Sequence, residues 1–295
     1  MPRKFYGQFG EDKHVFDTFF SDRTTPGVYF EAGAMDGINL SNTKAFEEMG
    51  WTGVLVEPMP ETYKKLLKNR PRDKCFSVIL DSDRGSKTLA IDDKLPNVSS
   101  VVEGNKGHNN YWHKDDDGNK KSREITIATE TMGNVLKTAG VTYIDFVSLD
   151  IEGYEVQALS GMDWNIPVGV WCIETSPTGK ADSKTFKIRQ MLSSHGYTFY
   201  GNFHINDIWI GRNLEKFSIT PPPQMSSTIN NLFNTTLERA PVLLTAASND
   251  YGVPAPIEEP APPTKLDPNI KFIGQVVVVA LVIQMITTLL KSKRN

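Results

Sequence analysis

Ten of the chain's 18 prolines fall between Pro221 and Pro268, among them Pro221-Pro222-Pro223 and the run from Val253 to Pro263. Proline fixes φ and removes a backbone donor, so no helix or central strand runs through such a stretch. Residues 216–271 therefore read as an extended proline-rich linker, in which the short apolar patch Ala240 to Ala247 is a candidate for docking on the main body. A length of 295 residues allows about two domains. The linker reduces that to one, residues 1–215.

Beyond the linker, residues 272–290 form a run of 19 without a charge, bounded by Lys271 and by Lys291, Lys293 and Arg294. As a helix it would be about 28 Å long, close to the hydrocarbon thickness of a bilayer. A chain end after a linker offers no core to enter, so one transmembrane helix is expected in preference to a buried helix or a valine-rich strand. Residues 291–295 are then a basic tail. The N-terminus has no apolar signal run, which predicts a C-terminally anchored, single-pass protein with its catalytic domain in the cytoplasm. The tail pulls the other way: it resembles a Lys-x-Lys-x-x retrieval signal and favours a cytoplasmic C-terminus. Only in that second topology would the sequons at Asn39, Asn97 and Asn234 matter.

The chain is 39% hydrophobic and 23% charged, which excludes a wholly disordered or multi-spanning protein. A net charge of −3 gives no case for nucleic acid as a partner. Cys75 and Cys172 are too few for a disulfide framework and fall in apolar strand patterns, where they read as core thiols.

Within residues 1–215, apolar strand candidates alternate with helical patterns. The strands are Val28 to Phe30, Gly53 to Val56, Cys75 to Leu80, Ile144 to Leu149, Gly169 to Ile173 and Asp207 to Ile210. The helices are Thr43 to Met49, Pro60 to Asn69, Met132 to Ala139, Tyr154 to Ser160 and Ser183 to Ser194. Pro60 suits a first helical turn and Gly140 a helix end. Such alternation predicts an α/β, doubly wound, mostly parallel sheet, with ligands at the carboxyl ends of the strands.

The first strand ends in Glu31-Ala-Gly-Ala-Met-Asp-Gly37, and the second in Glu57-Pro58. A glycine turn lets backbone approach a ligand closely, and an acid at the second strand's end can bond both hydroxyls of a ribose. The full Gly-x-Gly-x-x-Gly pattern is absent, as is the phosphate-cradling Gly-x-x-x-x-Gly-Lys-Ser/Thr run. A nucleoside cofactor without a pyrophosphate, S-adenosylmethionine, is therefore expected ahead of a nicotinamide. Taken alone, Glu57 reads equally as an exposed strand-end carboxylate.

Several segments resemble the FkbM-type methyltransferases. They are Gly7-Gln-Phe-Gly-Glu-Asp12, Tyr29-Phe-Glu-Ala-Gly-Ala-Met-Asp-Gly37 with Ser41-Asn-Thr43, Glu48 to Pro58, and Tyr143-Ile-Asp-Phe-Val-Ser-Leu-Asp-Ile-Glu-Gly-Tyr-Glu155. The resemblance spans roughly Phe5 to Arg212. It implies a class I, Rossmann-like, S-adenosylmethionine-dependent O-methyltransferase that acts on sugar or polyketide hydroxyls. It also implies that Glu31, Gly33, Ala34, Asp36 and Gly37 contact the methionine part and backbone of the cofactor, that Glu57 holds its ribose, and that Asp81 lies near its adenine. Gln8 and Asn42 fall in matching segments and join the expected cofactor site. The linker and apolar tail have no counterpart in the family core.

Methyl transfer to a neutral hydroxyl needs positioning, desolvation and a base. Asp150 and Glu152, which follow the Ile144–Leu149 strand, are the expected catalytic pair. Asp150 is the first choice for the base, and its alternative reading is a helix cap. Glu155 is expected to be solvated, and Glu174 is an alternative base. His195 reads as a helix end, Asn206-Asp207 as part of an acceptor pocket, and Trp51, Trp171 and Trp209 as core. His113 to Glu124 has the spacing of a calcium loop, yet His113, Lys120 and Arg123 oppose a cation; it reads as a solvated loop, and no metal is expected. The acceptor pocket is expected to draw on the Val98 to Arg123 loop. The overall expectation is a membrane-tethered O-methyltransferase that takes a saccharide or other hydroxyl-bearing acceptor. The alternative is a non-catalytic, membrane-anchored binding module on the same fold.

Overall fold

The computed structural model describes residues 3–91, 99–102, 123–175, 182–212, 214–217 and 219, all within the first of two units into which the chain divides, 1–242. The apolar run 272–290, the tail 291–295, nearly all of the linker and most of the calcium-like loop lie outside the described residues. Among those described, no helix is long and apolar enough to cross a membrane.

In chain order the elements begin with α1 (Glu11–Val15), continued by a wider turn over Phe16–Phe20, then β1 (Val28–Ala32), α2 (Lys44–Glu48), β2 (Thr52–Val56) and α3 (Pro60–Asn69). They go on through β3 (Lys74–Phe76), β4 (Ile79–Leu80), β5 (Gly85–Ile91), β6 (Ser100–Val101), β7 (Arg123–Glu130) and α4 (Met132–Ala139). Last come β8 (Ile144–Leu149), α5 (Glu155–Ser160), β9 (Val168–Glu174), α6 (Ser183–Ser194), β10 (Thr198–Phe203) and β11 (Asn206–Ile210). Local chemistry sets several boundaries. Pro60 opens α3, the Thr131 hydroxyl caps α4 by accepting from the Asn134 N–H, and Gly140 closes α4 in a left-handed conformation.

A seven-stranded sheet runs β10-β11-β9-β8-β1-β2-β3. Its five central and β3-side strands are parallel, and β11 pairs antiparallel with both β9 and β10. The order reverses at β1, so the crevice outside the carboxyl ends of β1 and β8 is where an open α/β sheet binds ligands. This is a Rossmann-like, doubly wound sheet, as expected. Strand alternation sends Phe30, Val54, Val147 and Trp171 to one face under α4, α5 and α6. Tyr29, Leu55, Phe146 and Cys172 go to the other, beneath Val15 to Phe20, Phe46 and Leu66. Trp51, Trp171 and Trp209 are all buried core residues.

Three expectations are corrected. The apolar run Cys75 to Leu80 is not one strand: β3 closes the main sheet, while Ile79 and Leu80 pair with β7 in a second sheet, ordered β4-β7-β5-β6. Among the described residues β3 is the edge strand of the main sheet. Helix α1 and strands β5, β6, β7 and β10 were not foreseen. The linker also begins later than residue 216, since Phe217 and Ile219 are buried in the core beside Val170. Arg23 holds that end by donating to the Phe217 carbonyl and pairing with Asp145.

Candidate active site

The carboxyl ends of β1, β2 and β8 open onto a cavity roofed by the second sheet. Its cavity volume is about 130 Å³. One wall is apolar, formed by Val56, Met59, Ile79, Leu80, Leu89 and Val101. The polar lining includes Gln8, Glu11, Asn42, Glu57, Asp150 and Glu152, besides the hydroxyl residues Thr62, Ser99 and Tyr154. Four of these are carboxylates, and no basic side chain lines the cavity among the described residues.

Gly33 brings the two strands together. It adopts φ +80, and a Cβ at this position would lie 1.8 Å from the Asp150 carbonyl oxygen. Only glycine allows that approach. The Asp150 N–H meets the Ala32 carbonyl at 3.2 Å, and the Gly33 and Ala34 N–H groups share the Val56 carbonyl.

Glu57 follows β2 with its carboxylate at the cavity. One oxygen accepts the Met35 N–H at 2.9 Å and the other the Met59 N–H at 2.8 Å. Burial pushes its pKa up to about 7, opposed only by those two backbone donors. Each oxygen keeps a lone pair for a ligand, so the pair can accept from two adjacent hydroxyls.

Glu31 is used differently. Its carboxylate accepts from Ser41 Oγ, the Asn42 N–H and Thr43 Oγ1 at 2.6–2.8 Å, and it is not part of the cavity lining. Its bonds serve the 41–43 turn. Asp36 likewise caps its own turn through Ile38 and Asn39, and Gly37 faces Arg70 and Leu66. Ala34 is buried in the core. Asp81 takes the Tyr154 hydroxyl at 3.2 Å, and Tyr154 rather than Asp81 reaches the cavity. Of the expected cofactor residues, the structure brings Gln8, Gly33, Asn42 and Glu57 to one cavity.

The expected catalytic pair, Asp150 and Glu152, lines the same cavity. Asp150 does not cap α5: Tyr154 is the cap residue and no side-chain cap bond forms. Burial, and then the charges of Glu174, Glu152 and Glu155, push the Asp150 carboxyl well above the ordinary range, opposed by Lys184. Burial with Glu174 and Glu155 raises Glu152 to about 8. Glu155, expected to be solvated, is fully buried. It accepts the Ile151 and Gly153 N–H groups and so shapes the turn that carries Glu152, which sits at φ 55. Asp150, Glu155 and Glu174 bring carboxylate oxygens within 4.8 Å of one another. The cation among them is Lys184, whose ammonium lies 2.8 Å from Glu155 and 3.4 Å from Glu174.

Other candidates lie elsewhere. Asp207 is buried against Arg189, and His195 stacks on Trp164 with ring centroids 3.9 Å apart; neither lines the cavity. Glu11 and the second-sheet wall were missed. Glu11 sits in the same Gln-Phe-Gly-Glu-Asp segment as Gln8, which was the available signal.

Comparison with known proteins supplies the remaining evidence. The family model described as "Methyltransferase FkbM domain" matches residues 31–199, more than half of the chain. No curated protein matches. Among solved structures, a ribosomal protein L11 methylase from Lactobacillus delbrueckii subsp. bulgaricus aligns at 10% identity and TM-score 0.34, covering 68% of this chain and 75% of that one. A TehB-like SAM-dependent methyltransferase from Corynebacterium glutamicum aligns at 8% identity and TM-score 0.35, covering 69% and 86%.

Proposed function

The chain belongs to the FkbM-domain methyltransferase family, whose cofactor is S-adenosylmethionine, and from that premise we propose that it is a membrane-tethered O-methyltransferase acting on a saccharide or other hydroxyl-bearing acceptor. The observation that carries the reading is one cavity that gathers three unlike sets of residues. Glu57, an apolar slot, and the pair Asp150 and Glu152 all line it.

The residues fit the cofactor. The slot of Met59, Ile79, Leu80, Leu89 and Val101 suits a flat purine, and Glu57 suits the two hydroxyls of a ribose. Four lining carboxylates, with no basic side chain in the lining among the described residues, favour a cationic ligand over a neutral one. When bound, S-adenosylmethionine supplies a methyl group made electrophilic by its sulfonium. The protein's part is to hold the acceptor oxygen in line, exclude water and take a proton. Asp150 is the proposed base. Its raised pKa makes it a stronger proton acceptor than an ordinary aspartate, while the Lys184 charge keeps its ionised form accessible. Lys184 retains its own proton: burial opposes the charge, but Glu155 and Glu174 hold its pKa above the ordinary value.

The membrane tether rests on the sequence: a proline-rich linker followed by 19 uncharged residues between lysines. A membrane-bound, cytoplasm-facing domain would meet acceptors at the bilayer surface. Mass spectrometry of glycans and lipids from cells with and without the full chain tests the reading directly, and a single added methyl group is the expected difference. Asp150→Ala should abolish that difference while the purified protein is still stabilised by S-adenosylhomocysteine. An unchanged methyl content in both fractions would leave a binding module in place of an enzyme.

A further inference from the structure

Asn42 lies between Ser41 and Thr43, whose hydroxyls are tied to Glu31 and to Arg70. Its own N–H donates to Glu31 at 2.7 Å, so its side chain is presented in one direction. It is 8% exposed and lines the cavity. The amide nitrogen donates to Ser148 Oγ at 3.1 Å, whereas Oδ1 has no protein partner. A buried acceptor without a donor is costly, which marks a place where a ligand completes the site.

The surroundings specify the ligand group. A Cβ built on Gly7 would lie 2.5 Å from Asn42 Oδ1 and 2.8 Å from both Glu11 Oε2 and Asp12 Oδ1, so these side-chain oxygens converge on the face that Gly7 leaves open. Glu11 is itself fixed, accepting from the Phe9 N–H and from Asn206 Nδ2. An amide oxygen converging with a carboxylate, in a cavity without a basic side chain among its described lining residues, calls for a cationic donor. S-adenosylmethionine carries three kinds of hydrogen-bond donor. Its ribose hydroxyls match Glu57, its flat adenine amine belongs with the apolar slot, and its sulfonium has no proton to donate. The amino-acid ammonium remains.

We propose that Asn42 Oδ1 and Glu11 form the subsite for the cofactor's α-ammonium group, with Asn42 aimed by the Glu31–Arg70 network behind it. The inference rests on the cofactor assignment and names residues that share no part of the chemistry proposed for Asp150.

The test is isothermal titration of the full chain in detergent micelles with S-adenosylhomocysteine and with 5′-methylthioadenosine, which keeps the nucleoside and lacks the amino-acid part. Asn42→Ala should weaken S-adenosylhomocysteine roughly ten- to a hundredfold and leave methylthioadenosine within about twofold. Retained methylthioadenosine binding also shows that the variant is folded. Asn42→Asp keeps an acceptor oxygen and adds charge, so S-adenosylhomocysteine should bind as tightly as to the original chain or more tightly. Equal losses for both ligands, no loss for either, or a loss in Asn42→Asp matching that of Asn42→Ala would overturn the subsite. The last of these is what an amide donating to Glu11, or a subsite for the carboxylate, would give. If the unaltered chain bound neither ligand, the cofactor assignment itself would fall, a result distinct from the other three.

Discussion

Glu31 and Glu57 end adjacent parallel strands, both are buried, and in the sequence both look like the acid of a nucleoside site. Glu31 is surrounded by donors. It takes two hydroxyls and one N–H, and behind the two hydroxyls stands Arg70, which is itself fully buried. The five guanidinium N–H groups go to Asp73, Gly37, Ser41, Tyr29 and Thr43 at 2.8–3.3 Å. Glu57 has two backbone donors, no cation among its pKa determinants, and a face open to the cavity. Three internal donors hold Glu31 to its loop away from the cavity, whereas Glu57 takes two and keeps a face on the cavity.

Removing the Arg70 guanidinium is the severest way to break this contrast. Arg70→Met leaves Glu31 and Asp73 as buried charges without their cation, and loss of one partner from a buried ionic network costs about 3–5 kcal/mol. Urea unfolding should show that loss as a lower midpoint with an unchanged slope. A cost under about 1 kcal/mol would mean that the network is not what holds the 37–43 loop.

Glu57→Gln should give the opposite pattern. It removes a buried charge with no counterion, so ligand-free stability should hold or rise at neutral pH. Affinity for S-adenosylhomocysteine and methylthioadenosine should fall together, roughly ten- to a hundredfold, because both carry the ribose. That parallel loss distinguishes the ribose end from the Asn42 end, where only the ligand with an amino-acid part is affected. An unchanged affinity for both would remove Glu57 from the site.

The two acids look alike in sequence because a strand-end glutamate beside a glycine turn reads the same whether or not an arginine later in the chain claims it. Long, strongly patterned elements were legible: α3, α4, α6 and β8 occupy the expected spans. The doubly wound order followed from their alternation. The second sheet was not legible. Its strands β5 and β7 are separated by a long stretch of sequence and partly exposed, so their short alternations, such as Ile125 and Ile127 between polar residues, carry little local signal. Four of the six residues of the cavity's apolar wall, Ile79, Leu80, Leu89 and Val101, come from that sheet. The Glu11–Asn206 bond likewise joins positions 195 apart, a pairing that periodicity within a window does not report.

A smaller effect sharpens the comparison through protons. The Glu57 carboxyl has a native pKa of about 7 against an ordinary value near 4.3 in an unfolded chain. Between those values the native state holds a proton that the unfolded state has released. The unfolded chain therefore binds fewer protons, and this group's contribution makes stability fall as pH rises from about 4.5 to 7. Glu57→Gln deletes that contribution, so the pH slope of unfolding free energy should become less negative by up to about 1.4 kcal/mol per pH unit near pH 6. Burial also raises the Glu31 pKa, but Arg70, Thr43, Ser41 and Asn42 oppose it. Glu31→Gln should flatten the slope too, and should in addition cost stability across that range, because it breaks the bonds that hold the 41–43 turn. Urea titrations of the two variants at pH 5, 6 and 7 decide the matter. A stability for Glu31→Gln no lower than that of Glu57→Gln at all three pH values would show that the two carboxylates are held alike after all.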